Sequence, residues 1–264
     1  MKPQHIDTAE FYANHLGIAA GLQAAGVDRS TLFITDKVAP TKGTDFSSFK
    51  NCSEVKEACK EHCEKLGITY MDLYLIHHGM GGKDVRLDQW KAMCELKKEG
   101  MTKYAGVSNF SIKHLEEIKA AGMAMPDANQ IEIHPLCLQT ELVKYCKENG
   151  ILSIAYSSLA PASSWRVEPG QGSAKEEAHG AKCGEYIKTL VEKYSVTEAQ
   201  ILLKWALQHG YPILPKSSQE ARIAQNADLF GFEIAEVDMT QLDSFDENLA
   251  LAWPAFIGNP LNAE

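Results

Sequence analysis

The chain has no apolar run approaching the ~20 residues that a membrane-crossing helix needs. It has no excess of positive charge either. Its 26 lysines and arginines face 35 aspartates and glutamates, for a net charge of -9, and a nucleic-acid surface would need the clustered cations that this balance does not supply. No charged-then-apolar segment of the secretory kind stands at its start. The seven cysteines form an odd number without a compact spacing framework, so a disulfide-stapled scaffold is not expected and a reducing cytoplasm is. No linker argues for two domains, and no G-x-G-x-x-G follows an early strand, since Gly79-x-Gly81-Gly82 lies in a loop. What remains is ordinary globular material, 45% hydrophobic and 23% charged in 264 residues, the length of one barrel domain of ~250 residues occupying 1–264.

Read in order, short apolar runs alternate with helical stretches, and glycine marks most helix ends. A strand at 5–8 precedes a helix over 14–25 stopped by Gly26. A strand at 32–36 leads through a polar loop with Pro40 and Gly43 to a helix over 51–66 stopped by Gly67. A strand at 72–76 and a helix over 87–99 follow, then strand 103–107, helix 111–121, strand 128–131, helix 138–149 and strand 152–156. A Ser/Pro/Gly-rich loop spans 157–179, helices are expected over 180–194 and 197–209, and a strand at 211–215 ends the series. Seven strands alternating with helices predict right-handed crossovers and parallel pairing, in a closed barrel or an open doubly wound sheet. Without the glycine fingerprint the barrel is the better reading.

Cys52, Cys59 and Cys63, with His62 among them, invite a metal reading. Positions 52, 55, 59, 63 and 66 fall on one helical stripe, however, which predicts core packing, and His62 is expected to point elsewhere. No metal site is expected. The chemistry lies at strand ends, where Asp7 and, five residues later, Tyr12 join Lys37 and His77, each of these two ending an apolar run. In a barrel of parallel strands such ends meet on one face. A phenol with a pKa of about 10 is a poor proton donor near neutrality unless its anion is stabilised. An ammonium at Lys37, held protonated by Asp7, does this. An imidazole at His77 would aim a carbonyl oxygen and receive the charge that develops when hydride arrives, so the chemistry calls for a hydride donor. A rival class is a metal-dependent barrel hydrolase built on His5, Asp7, His77, His78 and His134. It would set a cation beside Lys37 and leave 216–226 without a role.

These residues stand in the stretches Ile6-Asp7-Thr8-Ala9-x-x-Tyr12, Asp72-Leu73-Tyr74-Leu75-Ile76-His77 and Gly106-Val107-Ser108-Asn109-Phe110. Further on come Asn129-Gln130 with Glu132 and His134-Pro135, and Pro215-Lys216-Ser217 to Asn226. With them the sequence resembles the aldo-keto reductases over nearly its whole length. The resemblance implies an α/β fold of the (β/α)8 TIM-barrel type and a catalytic tetrad of Asp7, Tyr12, Lys37 and His77, with Tyr12 as general acid. It also implies a nicotinamide dinucleotide lying extended across the barrel mouth. On that likeness Ser108, Asn109 and Gln130 hydrogen-bond the nicotinamide carboxamide, Tyr156 stacks on its ring, and Ser157 and Leu159 follow the pyrophosphate. Lys216, Ser217, Ser218 and Arg222 would hold a phosphate ester, and Gln225 and Asn226 would meet adenine. A cation, hydroxyls and a helix N-terminus together suit a phosphate ester, which favours NADPH over NADH. The same stretch also reads as a helix cap at Ser217 or Ser218. The expected protein is a cytoplasmic NADPH-dependent oxidoreductase that reduces small aldehydes or ketones to alcohols, a monomer by default.

Departures from the family pattern carry expectations of their own. The chain begins at what resembles the family's second strand, so the N-terminal hairpin and first βα unit are expected to be missing. Open edges, association through them and poor stability would follow, and such a chain could bind NADPH or a partner without turnover. His77-His78-Gly79 stands where the family usually has His, an aromatic and Pro, and Ser158 and Ala160 replace the usual Pro and Gly after Tyr156. Loops 79–86, 157–179 and 250–264, with Trp165 and Trp253, are expected to shape the substrate pocket.

Overall fold

The structure, a computed structural model, describes residues 5–43, 45–162 and 182–252. By packing, these residues form two compact units, 5–129 with 145–152, and 130–144 with 153–252.

The first unit opens with strand β1 (His5–Asp7), a 3-10 turn (Glu10–Tyr12) and helix α1 (His15–Ala25). Strand β2 (Phe33–Val38), the hairpin strands β3 (Thr41–Lys42) and β4 (Asp45–Phe49), and helix α2 (Cys52–Leu66) follow. Then come β5 (Met71–Ile76), α3 (Gly82–Lys98), β6 (Thr102–Ser108) and α4 (Ile112–Ala120). Strands β1, β2, β5 and β6 pair in parallel in that order, with Asp7 opposite Thr35, Lys37 opposite Leu75, and Leu75 opposite Gly106. All six residues of β5 are buried, as expected of a parallel strand covered on both faces. Ile34, Leu75, Val107, Trp90, Met93, Leu96 and Leu115 form the core around it. Gly106 is required there, because a Cβ at this position would come within 2.7 Å of both the Ala128 carbonyl oxygen and Leu75 Cδ2.

Helix α2 starts with a capping box between Asn51 and Glu54 and ends on Gly67 in the left-handed region (φ 67°). Helix α1 differs from its neighbours. Of its residues only His15 is buried, and Leu16 is 70% exposed.

Strand β7 (Ala128–Glu132), helix α5 (Thr140–Glu148) and strand β8 (Leu152–Tyr156) span the boundary between the units. The second unit continues with α6 (Lys182–Tyr194), α7 (Glu198–Gln208), α8 (Glu220–Ala227) and α9 (Glu236–Asp243). Its core holds Ile131, Ile133, Ile154, Ile201, Leu202 and Trp205, and the Trp205 indole N–H donates to Asp243 at 2.7 Å.

Six of the seven expected strands form. The seventh, over 211–215, is reduced to one parallel bridge between Ile213 and Ala155. Pro212 and Pro215 flank that residue without N–H groups to donate, so a ladder cannot extend; Pro212 contributes only its carbonyl, to Ala155 N–H at 2.9 Å. The polar loop expected after β2 is instead the β3–β4 hairpin, with Thr41 opposite Phe49. Helix α3 begins five residues before the expected 87, because its first turn is polar and anchored by Arg86, whose guanidinium donates to Glu117 (2.7 Å) and to the Gly79 carbonyl (2.9 Å). The stripe expected on α2 is buried at Val55, Cys59, Cys63 and Leu66, but His62 is buried as well. The reason is that α2 packs against α1, α3 and β2, so more than one of its faces is covered. No helix among the described residues is long and apolar enough to cross a membrane. All seven cysteines are free thiols.

Candidate active site

Strand β1 ends at Asp7, and the fully buried Thr8 and Ala9 carry the chain into the 3-10 turn that bears Tyr12. The turn closes with Ala13 in the left-handed region (φ 50°), and the Thr8 hydroxyl donates to Asn14 Oδ1 at 2.6 Å. Glu10 fixes the turn to the chain beyond β2. Its carboxylate accepts the Ala39 N–H at 2.8 Å and the Lys50 ammonium at 2.9 and 3.2 Å. Lys50 also donates to the carbonyls of Ala39 and Thr41. Tyr12 is thereby held in place while 45% of its surface stays exposed.

Lys37, in β2, is fully buried. Its Nζ donates to Asp7 Oδ1 at 2.5 Å and to the Thr8 carbonyl at 2.9 Å, and it lies 5.2 Å from the centre of the Tyr12 ring. Burial works to lower the Lys37 pKa, but the facing charges of Asp7 and Tyr12 outweigh it and raise the group above its ordinary value. The lysine is therefore a permanent cation under the phenol ring.

His77 follows β5, and its backbone N–H donates to the Val38 carbonyl at 3.0 Å, tying the ends of β5 and β2 together. Its ring stands edge-on to Tyr12, with centroids 5.8 Å apart and planes at 84°, and it stacks on His78 at 4.6 Å. Burial and the charge of Lys37 pull His78 down to about 3, so that imidazole is neutral. Asn109, in the left-handed region after β6 (φ 58°), donates from Nδ2 to the His77 carbonyl and to Ser108 Oγ, both at 3.1 Å. Asp7, Tyr12, Lys37 and His77 thus gather within one unit at the carboxyl ends of β1, β2 and β5. Together they place a phenol over a carboxylate-held ammonium beside an imidazole, an arrangement able to release a proton and stabilise the anion left behind.

The family model described as "Aldo/keto reductase family" matches residues 3–247. The chain belongs to that family. It is similar to the glyoxal reductase of Bacillus subtilis (strain 168), at 37% identity over 243 residues, covering 92% of this chain and 79% of that protein. It is also similar to the crystal structure of an aldo-keto reductase enzyme from a Medee basin deep-sea metagenome library. The TM-score there is 0.81 at 29% identity, over 94% of this chain and 84% of that one. Bombyx mori aldo-keto reductase in complex with NADP gives a TM-score of 0.79 at 29% identity, over 98% of this chain and 84% of that one. The fold is accordingly of the α/β TIM-barrel type, and the chain is an oxidoreductase of the carbonyl-reducing class.

The residues expected to bind the cofactor of this aldo/keto reductase are distributed over both units. Ser108 and Asn109, both buried, lie in the unit that holds Asp7, Tyr12, Lys37 and His77. Gln130, Tyr156, Ser157, Leu159 and the stretch 216–226 lie in the other. There Gln130 is buried, Tyr156 and Leu159 are half-buried, and Ser157 takes a left-handed conformation (φ 54°) directly after β8. Lys216, Ser218, Arg222 and Gln225 are exposed, Ser217 is half-buried, and Asn226 is buried. The capping reading for Ser217 or Ser218 is corrected. Gln219 precedes α8 without a side-chain cap, and Ser217 Oγ accepts the Gln219 N–H at 3.1 Å, a local turn ahead of the helix. Trp165, Trp253 and most of the two long loops lie outside the described residues.

His5 shares a hydrogen bond with Thr35 (2.9 Å), Asp7 holds Lys37, and His134 donates to Glu132 (3.0 Å), so three of the five residues imagined for a metallohydrolase have protein partners. Glu132 also accepts the N–H groups of Leu251 (2.7 Å) and Ala252 (3.1 Å), fixing the start of the C-terminal segment. The sequence reading gave no role to Glu10, to Lys50 or to Asn129, whose side chain pairs with the backbone of Phe110. Glu10 stood inside a quoted motif, but nothing local pointed to Lys50 forty residues on. Asp36, a carboxylate inside the apolar run of β2, was a signal that could have been read.

Proposed function

We propose that the chain, acting as a single cytoplasmic catalytic domain over 1–264 and as a monomer, reduces small aldehydes or ketones to alcohols with NADPH. The observation that carries this reading is the line from Asp7 through Lys37 to Tyr12. A carboxylate keeps a buried ammonium charged, and the ammonium faces the ring of an accessible phenol. Bound NADPH supplies the hydride. The chain's own residues do the rest. His77, edge-on to Tyr12, orients the carbonyl oxygen, and Tyr12 transfers its hydroxyl proton to that oxygen as negative charge builds there. The phenolate left on Tyr12 is stabilised by Lys37, whose own proton is retained by Asp7.

The donor set suits a nicotinamide dinucleotide. Ser108, Asn109 and Gln130 offer hydroxyl and amide groups for a carboxamide, and the half-buried Tyr156 offers a flat face. Lys216 and Arg222 offer exposed cations beside the start of α8, where a phosphate ester is favoured. Replacing Tyr12 with Phe is expected to lower kcat by about 10²–10⁴ while NADPH still binds in a fluorescence titration. Unchanged turnover would overturn the assignment of Tyr12. An unaltered chain that binds NADPH but reduces no carbonyl compound would replace the enzyme reading with a binding one.

A further inference from the structure

Neighbouring residues of a strand point to opposite faces, so Asp36 turns its carboxylate away from the side on which Lys37 meets Asp7. On that other face it is fully buried between two histidines. His15 Nε2, from α1, lies 3.2 and 3.1 Å from its two oxygens, and His62 Nδ1, from α2, lies 2.8 Å from Oδ2. The two imidazoles stack with centroids 4.7 Å apart, and the Tyr74 hydroxyl approaches His62 Nδ1 at 3.2 Å. All three side chains are buried, and one donor atom from each lies within 4.8 Å of the others.

The two imidazoles aim nitrogens at one carboxylate, an arrangement in which either two N–H groups or a single cation can lie among the three donors.

We propose that His15 Nε2, Asp36 Oδ2 and His62 Nδ1 bind one divalent transition-metal ion of the Zn²⁺ type, with Tyr74 Oη or a water as fourth ligand. Tetrahedral zinc with N and O ligands at ~2.0–2.2 Å sets its donor atoms about 3.3 Å apart. The spacings of 2.8 and 3.1 Å are thus a few tenths short of a coordination shell and open to one by small side-chain movements. Two imidazoles and a carboxylate suit zinc and its first-row neighbours, and exclude the oxygen-only preference of magnesium and calcium. The second ring nitrogen of His62 lies 3.8 Å from Glu10 Oε2, near a negative charge but beyond hydrogen-bond distance. The role is structural, because His15 is the only buried side chain of α1 and the ion would pin that helix to β2 and α2. Of the residues that first suggested a metal, the structure takes the histidine and leaves Cys59 and Cys63 in the core.

The test uses the full chain, stripped with a chelator, loaded with Zn²⁺ or Co²⁺ and desalted, and reads bound metal by mass spectrometry. One equivalent per chain is expected, with the visible absorption of four-coordinate Co²⁺ and a higher melting temperature than the stripped protein. Asp36→Asn, and the double variant His15→Gln with His62→Gln, should lose the ion. His209→Gln, at an exposed histidine paired with Asp243, should keep it. Should those variants fail to fold, the unaltered chain decides alone. Substoichiometric metal on the folded wild-type protein overturns the proposal, and so does an equivalent of metal retained by the double variant.

Discussion

Among single residues, Glu10 is a positioning group for Tyr12, the proposed proton donor. It holds the turn bearing Tyr12 against Ala39 and Lys50, and its loss would let the phenol drift from its place above Lys37. Displacement of a reacting group by about 1 Å can cost 10²-fold, so Glu10→Gln and Lys50→Met are each expected to lower kcat by about 10- to 100-fold, with little change in cofactor binding. Steady-state kinetics beside an NADPH titration checks this. Asp72 plays a comparable part in stability. Its carboxylate accepts the Ile34 N–H (2.9 Å) and pairs with Arg29 (2.6 Å) and Lys103 (2.9 Å). Burial would raise its pKa, but these partners hold it below the usual carboxylate value. A depressed carboxylate stabilises the fold above its unfolded pKa, 3.8, and that contribution is lost as pH falls through the lower folded value. Asp72→Asn should therefore cost about 1–3 kcal/mol near neutrality, and the gap to the wild type should close below pH ~4 in denaturant titrations.

Elements were legible where one local rule decided them. The run Met71–Ile76 is apolar except for Asp72 and is buried throughout, and Gly26, Gly67, Gly100 and Gly150 each mark a helix end with φ above zero. What local rules did not decide was misread. The β3–β4 hairpin carries a polar sequence and a register shift between Thr41 and Lys42, so it shows no clean alternation. The stretch 211–215 looks extended but its prolines cannot donate to a ladder. That Asp7, Tyr12, Lys37 and His77 would lie near one another was legible because each stands at or a few residues beyond a strand end. The Glu10–Lys50 tie and the His15–Asp36–His62 cluster were not, because they join residues 40, 21 and 26 positions apart that only the packing brings together. Tight strand packing at Gly106 gives this scale its prediction. Gly106→Ala would force a Cβ against the Ala128 backbone and Leu75, and should cost about 1–3 kcal/mol or more, read as a lower denaturant midpoint.

At the scale of the whole molecule the net charge is -9, yet the proposed cofactor is a polyanion. Local cations must therefore offset a repulsive background, and Lys216 and Arg222, exposed at and before α8, are the ones proposed for it. Arg222→Ala is expected to raise the KM for NADPH about tenfold and to leave that for NADH nearly unchanged, since a lost charge-assisted contact to phosphate is worth about 1.5 kcal/mol. The difference should shrink as salt rises toward 1 M, where the screening length is ~3 Å. Equal effects on both cofactors would mean that Arg222 does not meet the distinguishing phosphate.

Strand β2 gives adjacent residues to two different tasks, Asp36 to the histidines on one face and Lys37 to Asp7 on the other. Inserting or deleting one residue within 33–38 would exchange the faces, presenting a carboxylate where the phenol needs a cation and burying an ammonium between two imidazoles. In a scan of single-codon insertions and deletions, this stretch should therefore tolerate none, while the turn around Gly43 accepts several.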